Sequence, residues 1–115
     1  MDVKNYNSMD NIKISHIKTN AQNLEMWVAF DNDINVGHVF INIESNNRIK
    51  FMDDWVHPDY RNKGIYRKLW DIRMSYTKDN FTNHLIYAWC KETSLPLFIE
   101  KGFKKGEIAT YVELK

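Results

Sequence analysis

The sequence predicts one α/β domain, a mostly antiparallel central sheet flanked by helices in the order β-β-β-β-α-β-α-β. Three observations lead there. Apolar and polar residues alternate with period 2 through the first half of the chain, a helical stripe begins at Ile65, and no repeat or Gly/Ser-rich linker divides the 115 residues. A chain of that length supports one core and little more, so any function has to be built on that core.

The elements follow in order. "IKISHIK" from Ile12 alternates as a half-buried strand, and "LEMWVAFDN" from Leu24 supplies a second strand of β-forming residues. "DNDIN" is a polar turn, "VGHVFINIE" from Val36 a third strand, "SNN" its turn, and "RIKFMDDWV" from Arg48 a fourth, together an antiparallel meander. Ile65, Leu69, Ile72 and Tyr76 recur at spacings of four, three and four, one stripe of a helix reaching about Lys78. "HLIYAWC" from His84 has the continuous apolar character of an interior strand. In "SLPLFIEKGF", Pro96 fits only a first helical turn, so a short helix starts near Leu95 and stops at Gly102; "EIATYVELK" alternates as a last strand.

Composition narrows the function classes. Sixteen Lys and Arg balance fifteen Asp and Glu, which leaves no global charge to attract a polyanion, so a nucleic-acid partner is not expected. Trp27, Trp55, Trp70 and Trp89 lie in apolar patterns and are read as core or dimer-face residues. Cys90 is the only cysteine, which excludes intrachain disulfides and four-cysteine zinc sites and suits a reducing cytoplasm. The polar start "MDVKNYNSMDNIK" has no signal-peptide core and no apolar run spans a bilayer, so a soluble cytoplasmic protein is expected and a membrane role is not.

The chemistry concentrates in "DWVHPDYRNKGIYRKLWDIRM". A strand ending at Val56 turns through "HPDYRNKG" into a helix whose first N–H groups have no intrahelical partner. With the helix dipole they form an anion site. Gly64 lets a phosphate approach closely, and Arg61, Lys63, Arg67 and Lys68 add positive charge at the rim. Neither G-x-x-x-x-G-K-[ST] nor G-x-G-x-x-G occurs, which weakens nucleoside triphosphate and nicotinamide readings.

"VHPDYRNKGIYRKL" resembles the acetyl-CoA-binding segment of the GNAT N-acetyltransferase superfamily, a strand ending in V-x-P followed by [RQ]-x-x-G-x-[GA] and a helix. Val56 and Pro58 stand on the V-x-P positions, and Arg61 and Gly64 on the first fixed points of the loop. "SLPLFIEKGFKK" is similar to the second family signature, with Gly102 and Phe103 on its G-F pair. The resemblance implies a GNAT-like fold in which the strand "DDWV" and the strand "LIYAWC" splay apart and pantetheine inserts between them as a false strand. It further implies backbone bonds from Asp54 and Val56, a pyrophosphate cradle at Asn62, Lys63, Gly64, Ile65, Tyr66 and Arg67, and acetyl-CoA as co-substrate.

The match departs at three positions. The last small residue of the loop pattern is Tyr66, which implies either an outward-turned ring or weaker cofactor binding. The family's proton-donating Tyr is Phe98, and an Asn seven residues earlier is Lys91. Tyr87 and Tyr111 are the other tyrosines considered as acids, and the general acid is left unassigned. Only "TNAQN" separates the first two strands where many members insert a helix pair, so the acceptor side is expected to be open, suited to a protein or other large substrate, or to a dimer partner.

Asp53 and Asp54 are neighbours on a strand, so their side chains are expected on opposite faces with one at most in the cleft. Asp54 is taken as amine-orienting group or base, ahead of His38 and His84. Cys90 is read as a small core residue rather than an acyl carrier. The expected function is acetyl-CoA-dependent N-acetyl transfer to an amine, a protein lysine, N-terminus or other acceptor, by direct attack in a ternary complex. A homodimer is expected from the aromatic content and small core. The alternative left open is a catalytically weak or inactive GNAT-derived binding or inhibitory module acting on a protein partner.

Overall fold

The computed structural model describes residues 11–106. The last predicted strand, with Tyr111, lies outside them. Strands β1 (Ile12–Lys18), β2 (Leu24–Asp31), β3 (Ile34–Glu44) and β4 (Arg48–Val56) form an antiparallel meander, and β5 (Leu85–Ala88) joins the far side of β4 in parallel, giving the order β1-β2-β3-β4-β5. Helix α1 (Ile65–Asn80) connects β4 to β5, and the short α2 (Leu95–Glu100) follows. This is the mixed α/β arrangement that the alternation and stripe predict.

Local chemistry sets the turns. Asn32 (φ 54°) and Asn47 (φ 60°) take left-handed conformations in the β2–β3 and β3–β4 turns, a backbone region asparagine tolerates better than most residues. Gly102 (φ 98°) ends α2, with its N–H on the Ile99 carbonyl and the Phe103 N–H returning to Phe98.

The core lies between the sheet and α1. Ala29 and Val36, with Val39 and Ile41 of β3 and Ile49 and Phe51 of β4, meet Ile65, Leu69 and Trp70. Gly37 allows this approach, because a Cβ there would stand 3.1 Å from the Trp55 carbonyl and 3.3 Å from Leu69 Cδ1. Phe98 and Phe103 close the end of the core against Trp70, with ring centroids 5.4 and 5.7 Å away, edge to face. The second signature thus works first as packing.

Three expectations are corrected, on α1, β5 and Cys90. The buried line of α1 runs Ile65, Leu69, Arg73, Thr77 with Trp70 beside it, while Ile72 and Tyr76 are half-buried. β5 is shorter than "HLIYAWC": its pairing stops at Ala88, and Leu85 and Trp89 are exposed. Of the tryptophans read as core or dimer-face residues, Trp27 and Trp70 lie in the core, and Trp55 is 37% and Trp89 81% exposed. Cys90 is exposed rather than a core filler.

The β3–β4 ladder breaks at one point. His38 pairs with Trp55 and Phe40 with Met52, so Val39 faces two residues, Asp53 and Asp54, across a β-bulge with Asp53 at φ 55°. The extra residue turns Asp54 onto the face of Phe51 and Val56, beneath α1. There its carboxylate meets Arg73, fully buried, through Nη1–Oδ1 at 2.7 Å and Nη2–Oδ2 at 3.0 Å. Arg73 also donates to the Phe40 carbonyl (3.2 Å), and its guanidinium lies 4.0 Å from the centre of the Phe51 ring. Asp54→Ala leaves that guanidinium buried and unpaired and is expected to cost about 3 kcal/mol or more in urea unfolding. The double variant Asp54→Ala/Arg73→Met is expected to recover most of the loss.

Candidate active site

Beyond Phe51 and Ala88, β4 and β5 no longer pair. The gap between them is a cleft of about 1030 Å³, walled by β4, by the turn before α1, by residues following β5 such as Trp89 and Lys91, and by Leu97 and Phe98 of α2. Both Asp53 and Asp54 line it, which corrects the expectation of one at most; the bulge, invisible to simple alternation, makes the difference.

The β4 wall has backbone groups to offer. The His57 N–H goes to the Val36 carbonyl on β3 (2.9 Å), and backbone groups alternate sides along a strand, so those of Val56 face away from β3. The Val56 carbonyl receives the Arg61 Nε–H at 2.9 Å.

The turn is built to present N–H groups. His57 Nδ1 accepts the Asp59 N–H (3.0 Å) and Pro58 starts a single 3₁₀ turn. The Tyr60 hydroxyl ties that turn to Asp31 at 2.6 Å. Asn62 (φ 62°) and Gly64 (φ 87°) are both left-handed. The first helical bond is Lys68 N–H to the Gly64 carbonyl, and the N–H groups of residues 62–67 meet no acceptor among the described residues. A Cβ on Gly64 would touch nothing within 4 Å, so glycine is required there by its backbone conformation. This set of free donors at the start of a sixteen-residue helix has the chemistry to accept an anion.

The basic rim is less free than the sequence implies. Arg61 is turned back to Val56, Arg67 is paired with Glu100 of α2, and Lys63 lies over the Tyr60 ring at 5.4 Å. Lys68 is exposed. Ile65 places its side chain in the core and contributes its N–H alone.

A family model described as an acetyltransferase (GNAT) domain matches residues 5–113. The chain belongs to the GNAT acetyltransferase family. An acetyltransferase of Trypanosoma brucei superposes with a TM-score of 0.69 at 19% identity, covering 80% of this chain and 70% of that one. A Clostridium acetobutylicum protein, described as a predicted acetyltransferase and solved with acetyl-CoA, gives 0.69 at 19% identity over 85% and 68%. AAC(6')-Iy, solved with a CoA-linked acetylneamine bisubstrate analog, gives 0.65 at 13% identity over 83% and 71%. No curated protein matches the sequence.

Against the GNAT pattern, Tyr66 turns its ring inward. Its hydroxyl donates to Asp54 Oδ2 at 2.5 Å, and burial, reinforced by the Asp54 charge, holds the phenol well above its ordinary value. It is therefore a poor acid. Asp54, expected as amine-orienting group or base, has its carboxylate engaged by both Arg73 and Tyr66. Phe98 has no proton to give. The Tyr87 hydroxyl donates to Glu44 (2.7 Å), with Arg48 over its ring, outside the cleft lining. Partial desolvation and the Asp54 charge push the Cys90 thiol up, away from a reactive thiolate.

The residue missed from sequence is Arg73. Its signal was present: it continues the four-residue spacing of Ile65 and Leu69, a charge on the most buried line of a helix, which calls for a carboxylate opposite.

His38 sits across from Trp55 on the sheet face away from α1. Its Nδ1 is buried without a partner, and burial pulls the imidazole below its ordinary 6.5 while Asp53 and Asp54 pull it back up. An NMR titration of His38 is expected to give a midpoint below 6.5, moved lower still in Asp53→Asn. Because the unfolded chain binds this proton more readily, the His38 contribution to stability is present above 6.5 and lost as pH falls through the folded midpoint.

Proposed function

We propose that the chain transfers the acetyl group of acetyl-CoA to an amine by direct attack in a ternary complex. The observation that carries this reading is the juxtaposition of an unpaired stretch of β4 with the acceptor-free N–H groups of residues 62–67, one able to hold pantetheine as a false strand and the other its pyrophosphate.

In this reading Asp54 and Val56 hold pantetheine through their backbone groups, while Asn62, Lys63, Gly64, Ile65, Tyr66 and Arg67 form the cradle. Filling the slot displaces Arg61 from the Val56 carbonyl and frees its guanidinium for the phosphates. Tyr66 serves as a wall of the cleft pinned to Asp54, and Asp54 as the anchor that holds the bulge to α1. The ammonium gives one proton to water, and the neutral nitrogen attacks the thioester carbonyl, whose oxygen is met by a backbone N–H; the C–S bond breaks, the nitrogen sheds its second proton to water, and an amide forms. With Phe98 at the family's acid position, the leaving thiolate takes its proton from water. The acceptor is an amine reached from the open side, borne by a protein or another large molecule.

A second reading, a module that binds a protein partner without turnover, is favoured by Phe98 and by Tyr66 in the place of a small residue. Calorimetric titration with acetyl-CoA, followed by mass spectrometry of amine acceptors for the added acetyl group, separates the two. Saturable binding that is lost in Gly64→Glu, together with an acetylated acceptor, is the expected result. Binding with no acetylated product would favour the second reading, and no binding would overturn the first.

A further inference from the structure

The cleft opens on both faces of the sheet. Asp54, Val56 and Phe98 line it on the helix side, and Met52, Asp53 and Trp55 line it as well, although the alternation of β4 and its pairing with β3 place Met52 and Trp55 on the opposite face. Both described helices lie on the core side, where Phe98 and Trp70 pack together. On the opposite face, beside the bulge, no described helix covers His38, Phe40 and Trp55.

Those side chains form one cluster. His38 lies 5.3 Å from the Trp55 ring and 5.4 Å from Phe40, centroid to centroid. Trp55 is 37% exposed, and Asp53 is exposed at the bulge, where its charge acts on His38. Asp53 is also held at φ 55°, a strained backbone for a residue with a side chain.

We propose that this cluster receives the acceptor as a primary alkylammonium, with Asp53 supplying the counter-charge, the face of Trp55 the cation–π contact, and Met52 and Phe40 an apolar wall for an unbranched aliphatic arm. The inference rests on the acetyl-transfer reading and names the acceptor class for that site. A tryptophan face attracts a cation by its quadrupole, and one exposed carboxylate fixes where the charge sits. The neutral His38 ring adds no repulsion: protonating it would bury a second N–H without an acceptor, since Nδ1 is already enclosed and unpartnered. The charges that act on His38 are those of Asp53 and, from the helix side of β4, Asp54; the His57 ring lies beyond Trp55, and the β2 partner Val28 carries no charge. A lysine side chain and a linear polyamine share this chemistry.

Nα-acetyl-lysine methylamide and spermidine, titrated by calorimetry into the free and the CoA-saturated chain, test the proposal. Both are expected to bind, and whichever binds more tightly identifies the source. Asp53→Asn, which keeps a residue tolerant of the left-handed backbone, and Trp55→Leu are each expected to weaken binding of the ammonium to the free chain about fivefold or more, with Trp55→Phe retaining most of the affinity. Affinity is expected to fall as His38 protonates in acid, and His38→Gln to remove that fall. Wild-type ammonium affinity in both Asp53→Asn and Trp55→Leu, or tighter binding of an aniline than of the alkylamines, would overturn the inference while leaving acetyl-CoA binding intact. Absence of acetyl-CoA binding by the unaltered chain would instead overturn the acetyl-transfer reading, with the ammonium titration of the free chain still deciding this one.

Discussion

A guanidinium sealed from water is tolerable only beside a carboxylate, and Arg73 makes the rest of this small fold answer to that requirement. Arg73 sits at the centre of α1, and the carboxylate comes from β4 only because a bulge turns Asp54 to the helix side. The same bond set reaches the Phe40 carbonyl on β3 and, through Asp54, the Tyr66 hydroxyl in the first turn of α1. One buried cation thus fixes the position of α1 relative to two strands, the place of the bulge and the direction of the Tyr66 ring.

The bulge and the end of the β4–β5 ladder lie close together in sequence, at Asp53 and at Phe51. β4 is bent on its β3 side where it is unpaired on its β5 side. A strand locked on both edges would offer its backbone to nothing else. Here the donors of the following turn, the exposed backbone of β4 and the cleft between the faces of the sheet all meet within the fifteen residues from Asp53 to Arg67. This concentration is how 115 residues accommodate a site without a second core.

Much of the fold was legible because its signals are local. Alternation placed β1 and β4 with the bounds observed, and Pro96 and Gly102 placed α2. The loop pattern around Arg61 and Gly64 pointed to the family that the chain matches over most of its length. What stayed hidden depends on contacts between distant residues. Simple alternation continues the face of Phe51 to Asp53 rather than to Asp54, and nothing in "FMDDWV" announces the extra residue opposite Val39. The stripe starting at Ile65 was followed to Ile72 and Tyr76, because an arginine is not counted as a core residue until its partner is known. Arg61 and Arg67 read as free cations, yet each has a partner, Val56 five residues back and Glu100 thirty-three residues on. Charge counted along a sequence does not reveal which charges are spent within the fold.

The parting of β4 and β5 has a thermodynamic side. A stretch of strand with its backbone groups unpaired is an adhesive edge, which natural sheets usually cover, charge or bend away. The sheet here is in effect missing a strand, and a ligand that fills the gap completes the sheet as well as occupying a pocket. Such a ligand binds the folded chain and not the unfolded one, so it stabilises the fold by mass action while removing the surface on which a second molecule would pair. The concentration of any molecule that fills the gap would then govern how long the folded chain persists and whether it stays unassociated.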